Sequence, residues 1–376
     1  MKFTFSNLPA TGWTLSAGRI VDLARLTEEV GFDRFAVADL PYHYDCMTVM
    51  AACLLGTRRI EVESLVTNAY TRDVGLVAAT WATLADLSGG RAILGIGGGI
   101  ETPTRVYVAP WGHERPHPAA AVREAVAVYR AMWRGERVTF DGEVVHVHEA
   151  TLDCPLPPPI PVLVAARGRR MLRLAGEIAD IAHLASLFTN VEHQRENIAE
   201  VLAGARAAGR AARGLEIDCS VTISVSADRE HARREARRNA AQTILWIAGT
   251  DKHNRGRRDW ERPRQFDVPE EVVEALTTRW DMWNEPELPA DLESMITDRI
   301  LDQFAVAGDP DECAARLRAL ATALPEVTGF RVKLPRPTRA ATYADYERAI
   351  LGMGEVIARL RGPMEAAAAP LTVSAR

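Results

Sequence analysis

The chain has 376 residues, a net charge of −5 and a hydrophobic share of 47%. This balance is ordinary for a globular protein, and an acidic chain offers no basic surface to nucleic acid or to an anionic membrane. We therefore expect neither nucleic acid nor a membrane among its partners. The length suits one large domain, because α/β barrels run long as single units.

The cysteines indicate a reducing compartment. There are five of them, an odd number, and no two form a C-x-x-C pair. A disulfide framework is therefore not expected. Because the sequence also shows no secretory leader and no run of about 18 apolar residues, it predicts a cytoplasmic protein.

The first hundred residues alternate short apolar strands with amphipathic helices. The predicted strands are Phe3–Ser6, Arg34–Ala38, Ile60–Val66 and Ala92–Ile96. Ser16 is typical of a helix N-cap, and the glycines after Ser88 are typical of a helix end.

The alternation stops over residues 100–160, where the sequence predicts a loop, a helix and a β-hairpin, and it resumes afterwards. The later predicted strands are Pro161–Ala165, Ile181–Ala185, Glu216–Ser226 and Gly329–Leu334. A second irregular stretch, 249–300, is rich in tryptophan, charge and proline. We expect it to form a lid over the substrate side of the pocket, and the alternative is that it packs on the outside of the barrel or at a dimer contact. About eight strand–helix units predict a single (β/α)8 TIM barrel over residues 1–362 with these two insertions, followed by a tail over 363–376.

In such a barrel, the residues that follow the strands form the active site. The segment Ala92–Gly99 is a strand that ends in three glycines. Glycines let the backbone approach a ligand closely, and their N–H groups can hold an anion. The dinucleotide fingerprint G-x-G-x-x-G fails at Ile100, so a tight turn is an equally good explanation of the glycines.

Three other strand ends carry polar or small residues. Val162–Gly168 leads into a helix whose N-terminus could hold phosphate, although a plain βα loop explains it as well. Leu65–Asp73 offers hydroxyl, amide and guanidinium groups. Asp39–Asp45 pairs carboxylates with an imidazole that could do acid–base work, unless Asp39 only caps the next segment and His43 is solvated. No third ligand accompanies the two histidines of 146–148, so no metal site is expected.

Five blocks of sequence, in this order and spacing, resemble the luciferase-like monooxygenase superfamily. They are SLVTNAYTRD, LADLSGGRAILGIGGG, REAVAVYRAMWRGERVTFDGE, PIPVLVAARGRRMLRLAGEIADI and FAVAGDPDECAARLRAL. The resemblance covers most of residues 1–245 and 304–360, and the nearest branch is the deazaflavin-dependent one, which includes methylenetetrahydromethanopterin reductase. It implies a barrel, usually dimeric, that holds a flavin or deazaflavin at the carboxyl ends of its strands.

The resemblance also implies a non-prolyl cis peptide at Leu65–Val66. With the strand ends, it indicates these cofactor contacts: Asp39, Leu65, Val66, Asn68, Gly97, Gly98, Gly99, Ala165, Ala166, Arg167 and Gly168. Sugar-phosphate dehydrogenases of the family carry His and Glu where this chain has Leu40 and Ile100, so their reaction is not expected here. Tyr42, His43 and Glu101 are the catalytic candidates, by location alone.

We therefore expect an oxidoreductase, acting as a homodimer, that moves hydride between coenzyme F420 and a small-molecule substrate of the imine, enone or alcohol type. Two alternatives stay open. One is a monooxygenase that uses FMN on the same fold, and the other is a barrel that binds the cofactor without turnover.

Overall fold

The computed structural model describes residues 1–6, 15–40, 43–99, 117–185, 189–248, 265–282, 285, 287–335 and 342–362. Its strands are β1 (Lys2–Phe5), β2 (Arg34–Val37), β3 (Glu61–Ser64), β4 (Ala92–Gly97), β5 (Val138–Asp141), β6 (His146–Ala150), β7 (Val162–Ala166), β8 (Ile181–Leu184), β9 (Glu216–Val225), β10 (Ala305–Gly308) and β11 (Gly329–Lys333). Its helices are α1 (Ala17–Glu29), α2 (Cys46–Gly56), α3 (Val74–Ser88), α4 (Pro118–Trp133), α5 (Arg169–Ile178), α6 (Val191–Ala207), α7 (Arg229–Ala248), α8 (Glu270–Arg279), α9 (Ala290–Met295), α10 (Asp298–Leu301), α11 (Pro310–Ala323) and α12 (Tyr343–Arg361).

Eight parallel strands close into a barrel. The order around it is β1, β2, β3, β4, β7, β8, β9 and β11, and β11 pairs with β1. The predicted (β/α)8 TIM barrel is therefore confirmed. None of the described helices combines the length and the apolar character needed to cross a bilayer.

Local signals place the helices that surround the barrel. Ser16 accepts a hydrogen bond from Arg19 N and begins α1, as expected of an N-cap. Gly89 ends α3 in the left-handed conformation, with a φ of 65°. Asp309 begins α11 with a full capping box, in which the side chain of Glu312 accepts from the Asp309 backbone.

The two faces of the barrel differ in chemistry. The outer face packs against the helices in one continuous apolar core. Inside, a small apolar cluster of Ile93, Leu163 and Ile181 shares the space with buried charged residues. Strand β9 shows the division well, because polar residues at even positions from Glu216 alternate with apolar residues at odd positions from Ile217.

Two elements depart from the predicted pattern. Strand β10 was not predicted, and it pairs with the upper half of β9, outside the ring. The stretch 249–300 was expected to be irregular, but its described part contains α8, α9 and α10. These helices share a second apolar core with α7 and β10. Helical structure therefore returns well before Pro310, where the next helix was predicted. The hairpin of β5 and β6 was predicted, and the tail after residue 362 lies outside the described residues.

Candidate active site

The strand ends singled out in the sequence lie side by side at one end of the barrel. Gly97 of β4 is the register partner of Ala165 of β7, and Ala165 is the partner of His183 of β8. Thr67 forms a bridge with Ile96, so the segment after β3 also joins this group. The loops that carry the predicted cofactor contacts therefore adjoin one another, as the parallel barrel requires.

The segment after β3 is held by its own side chains. The Leu65–Val66 peptide bond is cis, as expected. Asn68 Oδ1 accepts hydrogen bonds from the backbone N–H groups of Tyr70 and Thr71, at 2.9 and 3.1 Å. Asp73 caps α3 through Gly75 and Leu76. This local bonding gives the strand end a defined shape before any ligand arrives.

Two hydroxyls in this segment lack a partner. Thr67 Oγ1 and Thr71 Oγ1 are both inaccessible to solvent, and neither makes a hydrogen bond. A buried polar group without a partner is costly, by about 1–3 kcal/mol. Such groups are places where a bound ligand gains hydrogen bonds that the protein itself does not supply.

Arg72 joins the segment after β3 to the one after β2. Its guanidinium donates to Asp39 Oδ2 at 2.5 Å and to Asp45 Oδ2 at 3.1 Å. Burial alone would raise the pKa of Asp45, but its hydrogen bonds from Thr48 and its pairing with Arg72 lower it. Asp45 also caps α2, so Arg72 fixes both ends of the loop that contains His43.

Packing and backbone conformation within the protein account for the glycines at the end of β4. A Cβ on Gly97 would come within 2.9 Å of Val66 Cγ2, and one on Gly98 within 3.1 Å of Pro118 Cβ. Gly99 has a φ of 72°, which disfavours other residues. A tight turn therefore explains why glycine occupies these positions. The backbone N–H groups of the glycines are the groups that could contact a ligand.

The segment after β7 is more open. Gly168 has a φ of 78°, and a Cβ built there would meet no atom within 4 Å. It begins α5 without a side-chain cap, so the N–H groups of the first turn have no cap from Gly168. Arg167 is exposed, and its Nε donates to Ala185 O at 3.0 Å across the neighbouring strand end. Ala165 and Ala166 are the last two residues of β7, and Ala165 is half-buried whereas Ala166 is buried.

Of the catalytic candidates, the described residues include only His43. Its ring is partly buried, and burial lowers the pKa of this imidazole. His43 lies three residues before α2 and between the two carboxylates that Arg72 holds. Tyr42 and Glu101 lie outside the described residues, as does Ile100.

Sequence reasoning missed a buried ionic network beneath the site. Arg331 of β11 is fully buried, donates to Glu63 of β3 and donates to Asp218 Oδ2 at 2.7 Å. Asp218 Oδ1 lies 2.5 Å from Nδ1 of His183. Ser220 Oγ lies 3.5 Å from Nε2 of the same ring. The alternation of polar and apolar residues in β9 was the signal that could have found this network.

Charge states in the network follow from burial and neighbours. Burial lowers the pKa of His183 to about 4, with Arg331 acting in the same direction and Asp218 opposing it. Burial alone would raise the pKa of Asp218, but Arg331 and His183 hold it well below its usual value. At neutral pH, His183 is therefore neutral and donates its Nδ1 proton to Asp218, which leaves Nε2 as an acceptor for the Ser220 hydroxyl.

The chain resembles known proteins over most of its length. A family model described as luciferase-like monooxygenase matches residues 2–326. A 5,10-methylenetetrahydromethanopterin reductase from Archaeoglobus fulgidus is 30% identical over 303 residues, which is 80% of this chain and 85% of the relative. An F420-dependent glucose-6-phosphate dehydrogenase from Beutenbergia cavernae is 34% identical over 229 residues, which is 57% of this chain and 66% of that protein.

Solved structures share the fold. The coenzyme F420 dependent tetrahydromethanopterin reductase from Methanopyrus kandleri superposes with a TM-score of 0.74 at 24% identity, covering 96% of this chain and 99% of that one. An F420-dependent secondary alcohol dehydrogenase, in complex with an F420–acetone adduct, has a TM-score of 0.68 at 21% identity, with the same coverage. At these identities the structural similarity establishes the barrel fold but not the reaction, which has to be inferred from the residues of the site.

Proposed function

We propose that this chain, which belongs to the luciferase-like monooxygenase family, is an enzyme that transfers hydride between the deazaflavin coenzyme F420 and a small organic substrate. The glucose-6-phosphate dehydrogenase from Beutenbergia cavernae and the reductase structure from Methanopyrus kandleri are both F420-dependent by name, which supports the choice of cofactor. The substrate class that we propose is an imine, an enone or an alcohol.

One observation carries the proposal. The strand ends of β3 and β7, which flank β4, bring buried hydroxyls without partners, at Thr67 and Thr71, and an open helix N-terminus at Gly168 to the same end of the barrel. The hydroxyls can bond the polar edge of a ring system, and the N–H groups at the start of α5 can bond an anionic tail. These donor groups fit a deazaflavin that carries a phosphate.

The chain's own residues would then bind and orient the cofactor. A bound deazaflavin supplies or accepts the hydride. Arg72 holds the Asp39 carboxylate through Oδ2, so Oδ1 is the oxygen available to a ligand N–H. Arg167 adds a cation beside the α5 terminus. His43, neutral because burial lowers its pKa, is the group we propose for accepting or returning the substrate proton.

Binding measurements test the proposal. Purified protein is titrated with oxidised F420 and, separately, with FMN, and binding is followed by absorbance and fluorescence. We expect micromolar affinity for F420 and no saturable binding of FMN. The opposite preference would favour the FMN-dependent monooxygenase, and F420 binding without turnover over a panel of imines, enones and alcohols would favour a barrel that only binds the cofactor.

We also propose a homodimer formed through α2 and α3. No residue of α2 is charged, and Asp86 is the only charged residue of α3. Leu55 of α2 and Leu76 of α3 are nevertheless 64% and 65% exposed. A helix pair with a single charged residue and exposed leucines is typical of a surface that a second subunit covers.

A further inference from the structure

Helix α5 begins with charges of the wrong sign for the start of a helix. Arg169 and Arg170 are its first two residues and Arg173 follows one turn later, whereas its first turn contains no acidic residue. The amino-terminal end of a helix carries a partial positive charge, so cations there are unfavourable and acidic residues are favourable. Helices α8 and α11 follow that preference, because each has two acidic residues in its first turn. The stability of α5 therefore does not explain its arginines.

Little of this positive charge is compensated by the protein. A single carboxylate, that of Glu200 on α6, lies 3.1 Å from Arg169 Nε and 2.6 Å from Arg173 Nε. The side chains of these two arginines are nevertheless 70% and 48% exposed. Arg170 is exposed as well, and within the described part of the chain it forms no ion pair. These three residues, the arginine patch, thus present a positive surface on a chain that is acidic as a whole.

The arginine patch borders the candidate active site. Gly168 follows β7 and immediately precedes α5, so the patch adjoins the open helix N-terminus described above. Met171 belongs to the same turn as the arginines, and its Sδ lies 3.9 Å from the position of a Cβ on Gly98. The exposed arginines therefore continue, toward solvent, the surface to which we assign the cofactor phosphate.

A phosphate alone does not require this patch. The N–H groups at the start of α5 already offer hydrogen bonds to one anionic group. Additional guanidinium groups suit a ligand with additional anionic groups, because a guanidinium can bind a carboxylate through two parallel hydrogen bonds. The arginines are spread over a full helical turn, so one compact anion does not match their spacing. The matching ligand is an extended chain that carries several carboxylates.

We propose that Arg169, Arg170 and Arg173 form a binding subsite for a polycarboxylate tail on the cofactor. The inference rests on the proposed function, because coenzyme F420 continues beyond its phosphate as a chain of linked glutamates, each of which adds a carboxylate. FMN ends at its phosphate and has no group to place on these arginines. Exposed ion pairs are individually weak, so the affinity should rise with the number of glutamates.

Cofactors of different tail length test this subsite. F420 without glutamates and F420 with a long glutamate tail are titrated into the protein at low salt, and binding is followed by fluorescence. We expect the long-tailed form to bind the wild type about tenfold more tightly. Molar salt should abolish this preference, because it screens exposed charges.

Two variants locate the effect. In the double variant Arg169→Gln and Arg170→Gln, the preference for the long tail should disappear, while the affinity for F420 without glutamates stays at the wild-type value. Arg173 remains in place to pair with Glu200. Arg170→Gln alone leaves both contacts of Glu200 intact and should lose part of the preference. Because these changes remove cations from the positive end of α5, urea unfolding should show cofactor-free variants at least as stable as the wild type.

The control is Arg206→Gln, at an exposed position in the last turn of α6, which should keep the full preference for the long tail. A wild type that binds both forms equally, or a double variant that keeps the preference, would overturn the inference alone. A double variant that loses affinity for both forms alike would do the same, because the arginines would then bind the phosphate. Failure of the wild type to bind F420 of either tail length would overturn the proposed function and the inference together.

Discussion

Thr67 carries a hydroxyl whose hydrogen-bond partner we propose to be the cofactor. Removing this hydroxyl should therefore raise the stability of the cofactor-free protein and lower its affinity for F420. Thr67→Val has nearly the same shape but lacks the buried, unpartnered oxygen. Removing such a group should stabilise the cofactor-free protein by about 1 kcal/mol. The same change should weaken F420 binding several-fold. Urea unfolding and cofactor titration measure the two effects.

The control for Thr67→Val is a threonine whose hydroxyl is satisfied. Thr27 is equally buried, but its Oγ1 donates to Leu23 O at 2.6 Å. Thr27→Val should therefore destabilise the protein by about 1 kcal/mol and leave cofactor affinity unchanged. If Thr67→Val also lowers the stability of the cofactor-free protein, its hydroxyl has a partner and our account of the site loses its main support.

His183 makes stability depend on pH. The pKa of His183 is about 4 in the folded protein and about 6.5 in the unfolded chain. Between these pH values the unfolded chain therefore binds a proton at His183 that the folded protein does not bind. The contribution of His183 to the free energy of unfolding should therefore be largest above pH 6.5. It should fall by on the order of 3 kcal/mol as the pH drops toward 4. Urea titrations at several pH values measure this slope.

Two histidine variants locate the source of that slope. His183→Gln should flatten the dependence between pH 6.5 and 4.5, at some cost in stability at neutral pH. His146→Gln removes an exposed histidine and should leave the slope as it is. An unchanged slope in His183→Gln would mean that other groups cause the acid sensitivity.

Residues were predictable where they follow strands and not where they face the barrel interior. Asp39, Asn68 and the glycines were found because strand ends carry the site in a parallel barrel. Arg331 and Glu63 were missed because they lie within β11 and β3 and not at the strand ends where site residues were sought. In a barrel the apolar face packs on the helices, so the polar face of an alternating strand can point inward.

At the scale of elements, β3 and β4 approach each other more closely than a side chain allows. A Cβ on Gly95 would lie 1.8 Å from Ser64 O, and Ser64 Oγ bonds both the N–H and the carbonyl of Gly95. Gly95→Ala should therefore lower stability by at least about 3 kcal/mol or prevent folding. Thermal unfolding and the yield of soluble protein measure the effect.

Gly18 provides the matched control for Gly95. It lies in α1, where an added Cβ would meet no atom within 4 Å. Gly18→Ala should raise stability by about 0.5–1 kcal/mol, because alanine favours the helix and restricts the unfolded chain. Equal effects of the two substitutions would contradict the close approach of β3 and β4.

Long periodic elements were predicted well, and short ones were not. Helices such as α7 and α11 matched their predicted bounds because a face that repeats over four or five turns is a strong signal. Strand β10 has four residues, two of them alanine and one glycine, so it has neither periodicity nor β-branched character beyond Val306. Helices α9 and α10 are similarly short and depend on the second apolar core.

At the scale of the whole molecule, the barrel was predictable because the strand–helix unit repeats, and about eight such units in one domain favour a closed ring over open sheets. The packing of α7 against β9 was not predictable from the repeat. The chain order suggests that α7 packs outside the barrel, as a helix after a strand normally does. The long β9 instead extends past the ring and carries α7 on its inner face.

The dimer is the last prediction, and it depends on the surface of α2 and α3. We expect light scattering of the wild type to give twice the 41.3 kDa of one chain. The double substitution Leu55→Glu and Leu76→Glu adds two charges to helices whose only charged residue is Asp86, and burying unpaired charges should reduce the particle to one chain. Leu351→Glu, at a 48% exposed position of α12, should remain a dimer. A wild type that is monomeric at micromolar concentration, or a double variant that still dimerises, would place the subunit contact elsewhere or remove it.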